Sequence, residues 1–344
     1  MKMFPSPSVI LMITQQCNLR CKYCYETKKS FSKMRKDVLK EVLENTNRII
    51  VTGGEPLTNI EMIEEIYNAI DELNITEKRR NSLREFTIIT NGTLIEKNID
   101  VIKKHNMNLG ISLDGIREAH NTDRIYPNGN GTFDDVMRGI ELCEENDIRY
   151  GLSPILTRNK IPYLFDSFKL LLEVQLKRLG SFSLVSNHLH NEQMIMVGEE
   201  EYSDEDVDMF IQEQKKIFDY IMSIGGEEII KGWFLKTRLE HFAYDGKIAV
   251  DENLEIYPRA FLAARENKEK YKMPNWKNIN LFTYINNVKY VDTIGAKPYW
   301  NSFDEASNEI SSGSPFYQNS KYTILVEEYN RFVKEYVQKE KHTI

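Results

Sequence analysis

Short apolar runs alternate with longer amphipathic segments through the first half of the chain. Each run is rich in Val, Ile, Leu, Thr or Phe, which is typical of a buried strand. Between the runs, apolar residues recur at helical spacing, most clearly from Ile60 to Leu73. Strands alternating with helices predict an α/β fold whose sheet is parallel, with right-handed crossovers. The six predicted strands span 8–14, 48–52, 85–90, 109–113, 150–157 and 181–186.

The pattern changes after the sixth predicted strand. Periodicity lapses over 187–202, a helix is predicted from Ser203, and the chain closes with a helix over about 325–336. The segment from Tyr244 to Arg259 predicts two strands joined by a turn. We therefore expect a partial (β/α)6 TIM-like barrel over 1–190, followed by a smaller α+β extension over 191–344 that holds a hairpin at about 240–260.

Polar residues and glycines follow several of the predicted strands. The chain reads Gly53, Gly54 and Glu55 after the second strand, Asn91 after the third, and Asp114 after the fourth. The carboxyl ends of parallel strands form the edge at which such folds bind ligands. Tight turns are the simpler explanation for each segment alone, because Gly, Asn and Asp favour turns.

Composition and charge narrow the classes of function. The chain has 344 residues, of which 41% are hydrophobic and 28% charged, as in ordinary globular proteins. Its formal net charge of -7 argues against nucleic acid as the main partner. The apolar stretch from Val9 to Ile13 is too short to span or enter a membrane. With four cysteines and no disulfide framework, the chain suits a reducing compartment, and we expect a cytoplasmic protein.

Three of the cysteines form the strongest chemical signal. Cys17, Cys21 and Cys24 stand in a C-x3-C-x2-C pattern just past the first predicted strand. A structural zinc site would need a fourth ligand nearby, and a redox C-x-x-C pair would leave Cys17 unused. Three thiolates suit a [4Fe-4S] cluster with one iron open to a small molecule. A non-catalytic iron-sulfur or zinc module remains the alternative from another class.

This loop, with Tyr23 before its last cysteine, resembles the signature of the radical SAM enzymes. The resemblance implies that the open iron chelates S-adenosylmethionine, whose reductive cleavage gives a 5'-deoxyadenosyl radical that abstracts hydrogen from an unactivated carbon. A GGE segment, here GGEP, and the segments TNG, ISLDG and NTDRIYP are similar to the peptide-modifying branch. For Arg124, a surface ion pair is the alternative.

The resemblance also implies a set of contacts to S-adenosylmethionine. Gly53, Gly54 and Glu55 would hold the methionyl amino group. Ser112 and Arg124 would lie near its carboxylate, and Asn91 or Asp114 near the ribose. The backbone around Leu156 would lie against adenine. The remaining implied contact is Tyr23.

The predicted hairpin resembles the start of the SPASM extension of sulfatase and ribosomal-peptide maturases. In those enzymes, cysteines that hold further clusters bracket the hairpin, whereas the matching positions here are about Ala243 and Arg259. No cysteine follows Cys143, so we expect no auxiliary cluster. A net oxidation would then have to return its second electron to the first cluster or to a partner.

Cys143 lies on the apolar face of a predicted helix that Thr132 and Asp135 would open as a capping box. It is expected to be a small core residue, and a hydrogen-donor role is the sharper alternative. His188 and His190 lie in a polar segment and are expected to be solvated, with a metal site as the alternative.

These observations together predict a radical SAM oxidoreductase or epimerase acting on a ribosomally synthesised precursor peptide. A maturase of a folded protein or a small-molecule enzyme is the alternative. The expected partners are a reductant such as flavodoxin or ferredoxin and a separate leader-binding protein.

Overall fold

The computed structural model describes residues 8–24, 26, 34, 39–44, 46, 48–179, 203–226, 248–251, 255–257, 331 and 335. These residues form an α/β fold built on one seven-stranded sheet in the order β5-β4-β3-β2-β1-β6-β7. The strands are β1 (Ser8–Met12), β2 (Arg48–Thr52), β3 (Thr87–Thr90), β4 (Asn108–Ile111), β5 (Arg149–Leu152), β6 (Ile248–Val250) and β7 (Ile256–Tyr257).

The first five strands are parallel and aligned at their carboxyl ends. Met12 pairs with Thr52, and Ile111 lies between Thr90 and Leu152 in the register. This alignment confirms the predicted partial barrel order and brings the segments that follow β1, β2, β3, β4 and β5 to one edge of the sheet. β1, β4 and β5 end earlier than predicted, because the residues that follow them turn away from the ladder, whereas β3 begins later than predicted and β2 has its predicted bounds.

The helices between the strands bury their apolar faces against the sheet. In the helix that follows β2, the buried residues are Met62, Ile63, Ile66, Tyr67 and Ile70, all of them predicted apolar positions except Met62. The described α-helices are α1 (Leu39–Glu44), α2 (Ile60–Glu72), α3 (Glu77–Arg84), α4 (Ile99–Lys104), α5 (Arg117–Asp123), α6 (Phe133–Glu145), α7 (Leu164–Leu179) and α8 (Asp204–Ser223). Among these helices, none is long and apolar enough to cross a bilayer.

The hairpin of the C-terminal extension joins the main sheet, which the sequence did not predict. β6 pairs in parallel with β1, with Val9 opposite Ile248 and Leu11 opposite Val250, and β7 returns antiparallel to β6. The hairpin itself was predicted, but its attachment was not. β1 would otherwise expose unpaired backbone groups along one side, and β6 satisfies them. The predicted boundary near residue 190 lies outside the described residues.

The start of α6 differs from its prediction. Thr132 precedes the helix but makes no side-chain cap, so the predicted capping box is wrong. Its hydroxyl instead donates to the carbonyl of Arg124 at 3.2 Å. Cys143 is fully buried in the hydrophobic core near the end of α6, shortly before β5 begins. Because α6 runs back from the carboxyl edge, Cys143 lies toward the opposite edge from the cysteine loop, which favours its role as a core residue.

Several predictions fall outside the described residues. These are the sixth barrel strand at 181–186, His188 and His190, the turn of the hairpin at 252–254, and most of the terminal helix, of which residues 331 and 335 are helical.

Candidate active site

The cysteine loop begins directly after β1 and lies against the segment that follows α5. All three cysteine side chains are half-buried. The backbone N–H of Arg20 donates to the carbonyl of Ile125 at 2.8 Å, and that of Lys22 to the carbonyl of Asp123 at 3.0 Å. The loop closes where the N–H of Cys24 donates to the carbonyl of Cys21 at 3.1 Å. Residues distant in sequence therefore fix the backbone between the cysteines.

Gly53 and Gly54 let the end of β2 pack against the start of this loop. The N–H of Gly54 donates to the carbonyl of Thr14 at 2.8 Å. A Cβ atom on Gly53 would lie 2.2 Å from that same oxygen, and one on Gly54 would lie 2.4 Å from the carbonyl oxygen of Gln16. Gly53 also has a φ of 147°, a conformation that side chains disfavour. These glycines therefore permit the end of β2 to approach the backbone of Thr14 and Gln16 closely.

Glu55 joins the ends of β2 and β3. Its carboxylate is buried and accepts the N–H of Leu57 at 3.0 Å, the hydroxyl of Thr90 at 2.7 Å and the N–H of Asn91 at 2.7 Å. Burial raises the pKa of Glu55, and these three hydrogen bonds oppose that shift. Glu55 therefore fixes the ends of β2 and β3 relative to each other. Its predicted contact with a methionyl amino group stays a prediction.

Asn91 contacts the cysteine loop from the end of β3. Its Nδ2 donates to Oδ1 of Asn18 at 2.9 Å and lies 4.0 Å from Sγ of Cys17. Its Oδ1 accepts the N–H of Thr93 at 3.0 Å, which is the turn chemistry that the sequence left open. The Cys17 sulfur also lies 3.4 Å from the N–H of Leu19. Hydrogen bonds to a ligating sulfur are one means by which proteins tune iron-sulfur clusters.

Asp114 is the centre of a buried charged network at the end of β4. Its side chain is 0% exposed, and Oδ2 accepts the hydroxyl of Tyr23 at 2.9 Å and the ammonium of Lys160 at 2.5 Å. Nε of Arg124 lies 3.0 Å from the same oxygen, in an ion pair that is not an aligned hydrogen bond. Oδ1 accepts the N–H of Ile155 at 3.0 Å. Because both oxygens are engaged, the geometry supports a structural role for Asp114, and its ribose contact stays a prediction.

Lys160 and Asp123 complete the network, and neither was predicted from the sequence as a site residue. Nζ of Lys160 lies 3.1 Å from Oδ2 of Asp123 and donates to the carbonyl of Ile155 at 3.1 Å. Oδ2 of Asp123 also accepts the hydroxyl of Thr157 at 2.7 Å. The segment around Lys160 reads as a polar connection, so no sequence signal indicated that its side chain would be buried.

His120 links this network to the start of α6. Its Nδ1 accepts the N–H of Asp114 at 3.2 Å, and its Nε2 lies 3.0 Å from the hydroxyl oxygen of Thr132. Since Thr132 donates its proton to the carbonyl of Arg124, Nε2 carries the hydrogen of a neutral imidazole. Burial lowers the pKa of His120 to about 3, and the charges of Arg124 and Lys160 act in the same direction.

Asp114 and Arg124 shift each other's pKa values so that both stay ionised. Burial raises the pKa of the Asp114 carboxyl, but the nearby Arg124 and Lys160 cations outweigh it and lower the pKa below its ordinary value. Burial lowers the pKa of Arg124, and Asp114 outweighs it in the opposite direction. Burial raises the pKa of Tyr23 well above its ordinary value, so its phenol stays protonated.

Ser112, Arg124 and Leu156 lie at the same edge of the sheet. Ser112 and Arg124 are buried, and within the described part of the chain no hydrogen bond engages the Ser112 hydroxyl or the two terminal nitrogens of Arg124. Leu156 lines a cavity of about 20 Å³ together with Asp114, Lys160 and apolar side chains that include Phe168. Space of this size holds about one water, so adenine would need a shift of the lining or would lie over its mouth.

The residues present fit a three-cysteine [4Fe-4S] cluster. Within the described part of the chain, no three Cys, His, Asp or Glu side chains converge as ligands of one metal ion. The cysteines of a cubane bind separate irons and need no such convergence. Tyr23, which stands between Cys21 and Cys24, contacts Asp114 and lies under the guanidinium of Arg124, so the loop lies beside the predicted S-adenosylmethionine contacts.

Known proteins that resemble this chain indicate its family. The profile of the radical SAM superfamily matches residues 11–160. The uncharacterised protein MJ0907 of Methanocaldococcus jannaschii is 33% identical over 202 residues, which cover 57% of this chain and 68% of that protein. The cysteine-type anaerobic sulfatase-maturating enzyme of Clostridium novyi is 28% identical over 45% of each chain. The Fe-coproporphyrin III synthase of Methanosarcina barkeri is 27% identical over 62% of this chain and 53% of the relative. The match thus covers about half the length of the sulfatase-maturating enzyme and of the Fe-coproporphyrin III synthase.

Solved structures share the fold. Native anSMEcpe with bound AdoMet and Kp18Cys peptide superposes with a TM-score of 0.69 at 20% identity, over 99% of this chain and 100% of that one. Streptococcus suis SuiB bound to precursor peptide SuiA gives a TM-score of 0.56 at 14% identity, over 91% and 72% of the two chains. The sequence match agrees with the cysteine loop and with the position of that loop at the carboxyl edge of the sheet. This chain therefore belongs to the radical SAM superfamily, whose members use a [4Fe-4S] cluster and S-adenosylmethionine.

Proposed function

We propose that this protein binds one [4Fe-4S] cluster through Cys17, Cys21 and Cys24, cleaves S-adenosylmethionine reductively, and abstracts hydrogen from a ribosomally synthesised peptide. When bound, the cluster and S-adenosylmethionine supply the 5'-deoxyadenosyl radical. The observation that carries the proposal is the attachment of the cysteine loop to the ends of β1, β2, β3 and β4, where Arg124 and Ser112 also lie.

The protein's own part in this chemistry is to orient S-adenosylmethionine. Asp114 holds Arg124 through Nε, which leaves the terminal nitrogens of the guanidinium for a bidentate contact with the methionyl carboxylate. The Ser112 hydroxyl supplies a further donor at the same edge. Because Arg124 stays charged, it favours the carboxylate over the neutral acid.

Replacing each cluster cysteine separately tests the assignment. Cys17→Ala, Cys21→Ala and Cys24→Ala should each lose the cluster and form no 5'-deoxyadenosine after anaerobic reduction. Iron and acid-labile sulfide are measured on the same samples. Wild-type protein that holds a single zinc and leaves S-adenosylmethionine intact would favour a binding module instead.

The peptide substrate is supported by the fold shared with SuiB bound to precursor peptide SuiA and with anSMEcpe bound to a peptide. Both neighbours hold a peptide, and the open side of a partial barrel would give such a substrate room. The reaction we propose is crosslinking or epimerisation, with flavodoxin or ferredoxin as the reductant, a separate leader-binding protein, and a cytoplasmic location.

The mass of a candidate peptide after anaerobic reaction in heavy water distinguishes the two reactions. Epimerisation should add about one dalton through deuterium capture, and crosslinking should remove about two daltons. A precursor peptide encoded beside this gene is the first substrate to test. Unchanged mass with all such peptides, despite formation of 5'-deoxyadenosine, would overturn the peptide assignment.

A second candidate function is maturation of a folded protein or conversion of a small molecule. It is favoured by the similarity to the sulfatase-maturating enzyme and to Fe-coproporphyrin III synthase. Incubation with a sulfatase tests the folded-protein substrate, and incubation with a tetrapyrrole precursor, followed by detection of an iron coproporphyrin, tests the small-molecule substrate. Each product differs in mass from its precursor.

A further inference from the structure

Lys160 is the most deeply buried cation beside the cysteine loop. Its side chain is 2% exposed, although lysine is almost never buried without partners. The ammonium contacts Oδ2 of Asp114 at 2.5 Å, Oδ2 of Asp123 at 3.1 Å and the carbonyl of Ile155 at 3.1 Å. These three acceptors match the three protons of the ammonium, so its position is fully determined.

The charges around Lys160 balance in a nearly dry environment. Lys160 and Arg124 are the cations, Asp114 and Asp123 are the anions, and none of the four side chains is more than 7% exposed. Removing one member would leave a net charge that water screens poorly. Neutralising Lys160 would leave a net negative charge, and neutralising Asp123 would leave a net positive one.

Both aspartates that bind Lys160 also contact the cysteine loop, Asp114 through its side chain and Asp123 through its backbone. Asp114 accepts the hydroxyl of Tyr23, which stands between Cys21 and Cys24, and the carbonyl of Asp123 accepts the N–H of Lys22. Nζ of Lys160 itself lies 4.6 Å from the centroid of the Tyr23 ring, a cation–π distance. Lys160 therefore ties the loop to the ends of β4 and β5.

We propose that Lys160 is a positioning residue that holds Tyr23 and Arg124 beside the three cysteines, and that its charge raises the reduction potential of the cluster bound there. The second half rests on the proposed function, because it requires the cluster. The physical reason is that reduction adds an electron, and a poorly screened cation nearby stabilises the added negative charge. Asp123 should act on the potential in the opposite direction.

The test uses the anaerobically reconstituted full chain as the wild type and as four variants. Lys160→Met removes the charge at similar length, Lys160→Arg keeps it, and Asp123→Asn removes one of the opposing charges. Lys104→Met is the matched control, since Lys104 is 63% exposed on α4 and pairs with Glu64. Each form is assayed for iron, sulfide, cluster midpoint potential, affinity for S-adenosylmethionine and thermal unfolding without cluster.

The expected result is a pair of shifts of opposite sign. Lys160→Met should lower the midpoint potential and weaken S-adenosylmethionine binding, and Asp123→Asn should raise the potential. Lys160→Arg and Lys104→Met should leave the potential close to that of the wild type. A role confined to folding would lower thermal stability in both network variants without opposite electrochemical shifts.

Other outcomes have separate meanings. Wild-type potentials in both network variants, or shifts of the same sign, overturn the role of Lys160 while leaving the proposed function intact. If Lys160→Met does not fold, Asp123→Asn alone decides, because an unchanged potential in that variant overturns the proposal. A wild-type chain that holds the cluster but modifies no peptide contradicts the proposed function and not the role of Lys160. A wild-type chain that binds no cluster overturns both.

Discussion

The hydroxyl of Tyr23 donates to Oδ2 of Asp114 at 2.9 Å, across 91 positions of sequence. The turn between the second and third loop cysteines is thereby fixed to the end of β4. Because Asp114 also binds two cations, the position of the loop depends on a network and not on the loop's own sequence alone.

The two ends of this hydrogen bond should differ in their contribution to stability. Tyr23→Phe removes one hydrogen bond and should reduce the free energy of unfolding by about 0.5–1.5 kcal/mol. Asp114→Asn leaves Arg124 and Lys160 as buried cations opposite a single carboxylate and should cost about 3–5 kcal/mol. Urea unfolding of the protein without cluster measures both. Equal losses would contradict the network described above.

Gly54→Ala should disrupt the site through backbone displacement. The added Cβ would meet the carbonyl oxygen of Gln16 at 2.4 Å, one residue before Cys17, so that carbonyl must move. We expect substantial loss of bound iron together with lower thermal stability. Gly151→Ala is the matched control, because a Cβ there meets nothing within 4 Å. Iron content that stays at the wild-type level in Gly54→Ala would show that the loop tolerates this movement.

His120 should make the fold sensitive to acid. Its pKa in the folded protein is about 3, against about 6.5 in an unfolded chain, so the unfolded state binds more protons between these values. The free energy of unfolding should therefore fall as pH drops below about 6.5, by up to about 1.4 kcal/mol per pH unit from this group.

The variant His120→Asn isolates that contribution. The Asn amide oxygen can take the place of Nδ1 and accept from the N–H of Asp114, and the amide does not titrate. Urea unfolding between about pH 7 and about pH 5 should show a shallower decline in the variant than in the wild type. Parallel declines would mean that another group carries the pH dependence.

Cys143→Ala should separate the core cysteine from the three loop cysteines. Cys143 is fully buried in α6, toward the edge of the sheet opposite the cysteine loop. Its replacement by Ala should reduce the free energy of unfolding by about 1 kcal/mol. Iron content and 5'-deoxyadenosine formation should stay at the wild-type level. A variant that cleaves S-adenosylmethionine normally but no longer releases a modified peptide would instead support the hydrogen-donor hypothesis.

The sequence predicted the parts of the site that depend on local patterns. β2 was predicted with its observed bounds, Arg48–Thr52, because its apolar run ends sharply at Gly53. Asn91 and Asp114 were placed at strand ends correctly, since the parallel order sets that edge. Their hydrogen-bond partners could not be predicted, because those partners come from other elements of the fold.

Lys160 and β6 show what local patterns omit. Lys160 is buried only because carboxylates arrive from positions as far as 46 residues earlier in the chain. β6 was predicted as a strand, but its choice of β1 as neighbour depends on the open side of the sheet. Both features are products of tertiary assembly.

The pairing of β1 with β6 has a consequence for biosynthesis. Val9 is translated long before its partner Ile248, because most of the described residues lie between the two in sequence. Contacts over such long stretches form slowly, and an unpaired strand edge in the interval invites association with other chains. The cysteine loop extends from β1, so the sheet beside it is complete only after β6 has been made. Iron delivered before then would meet thiols in a chain that has not finished folding.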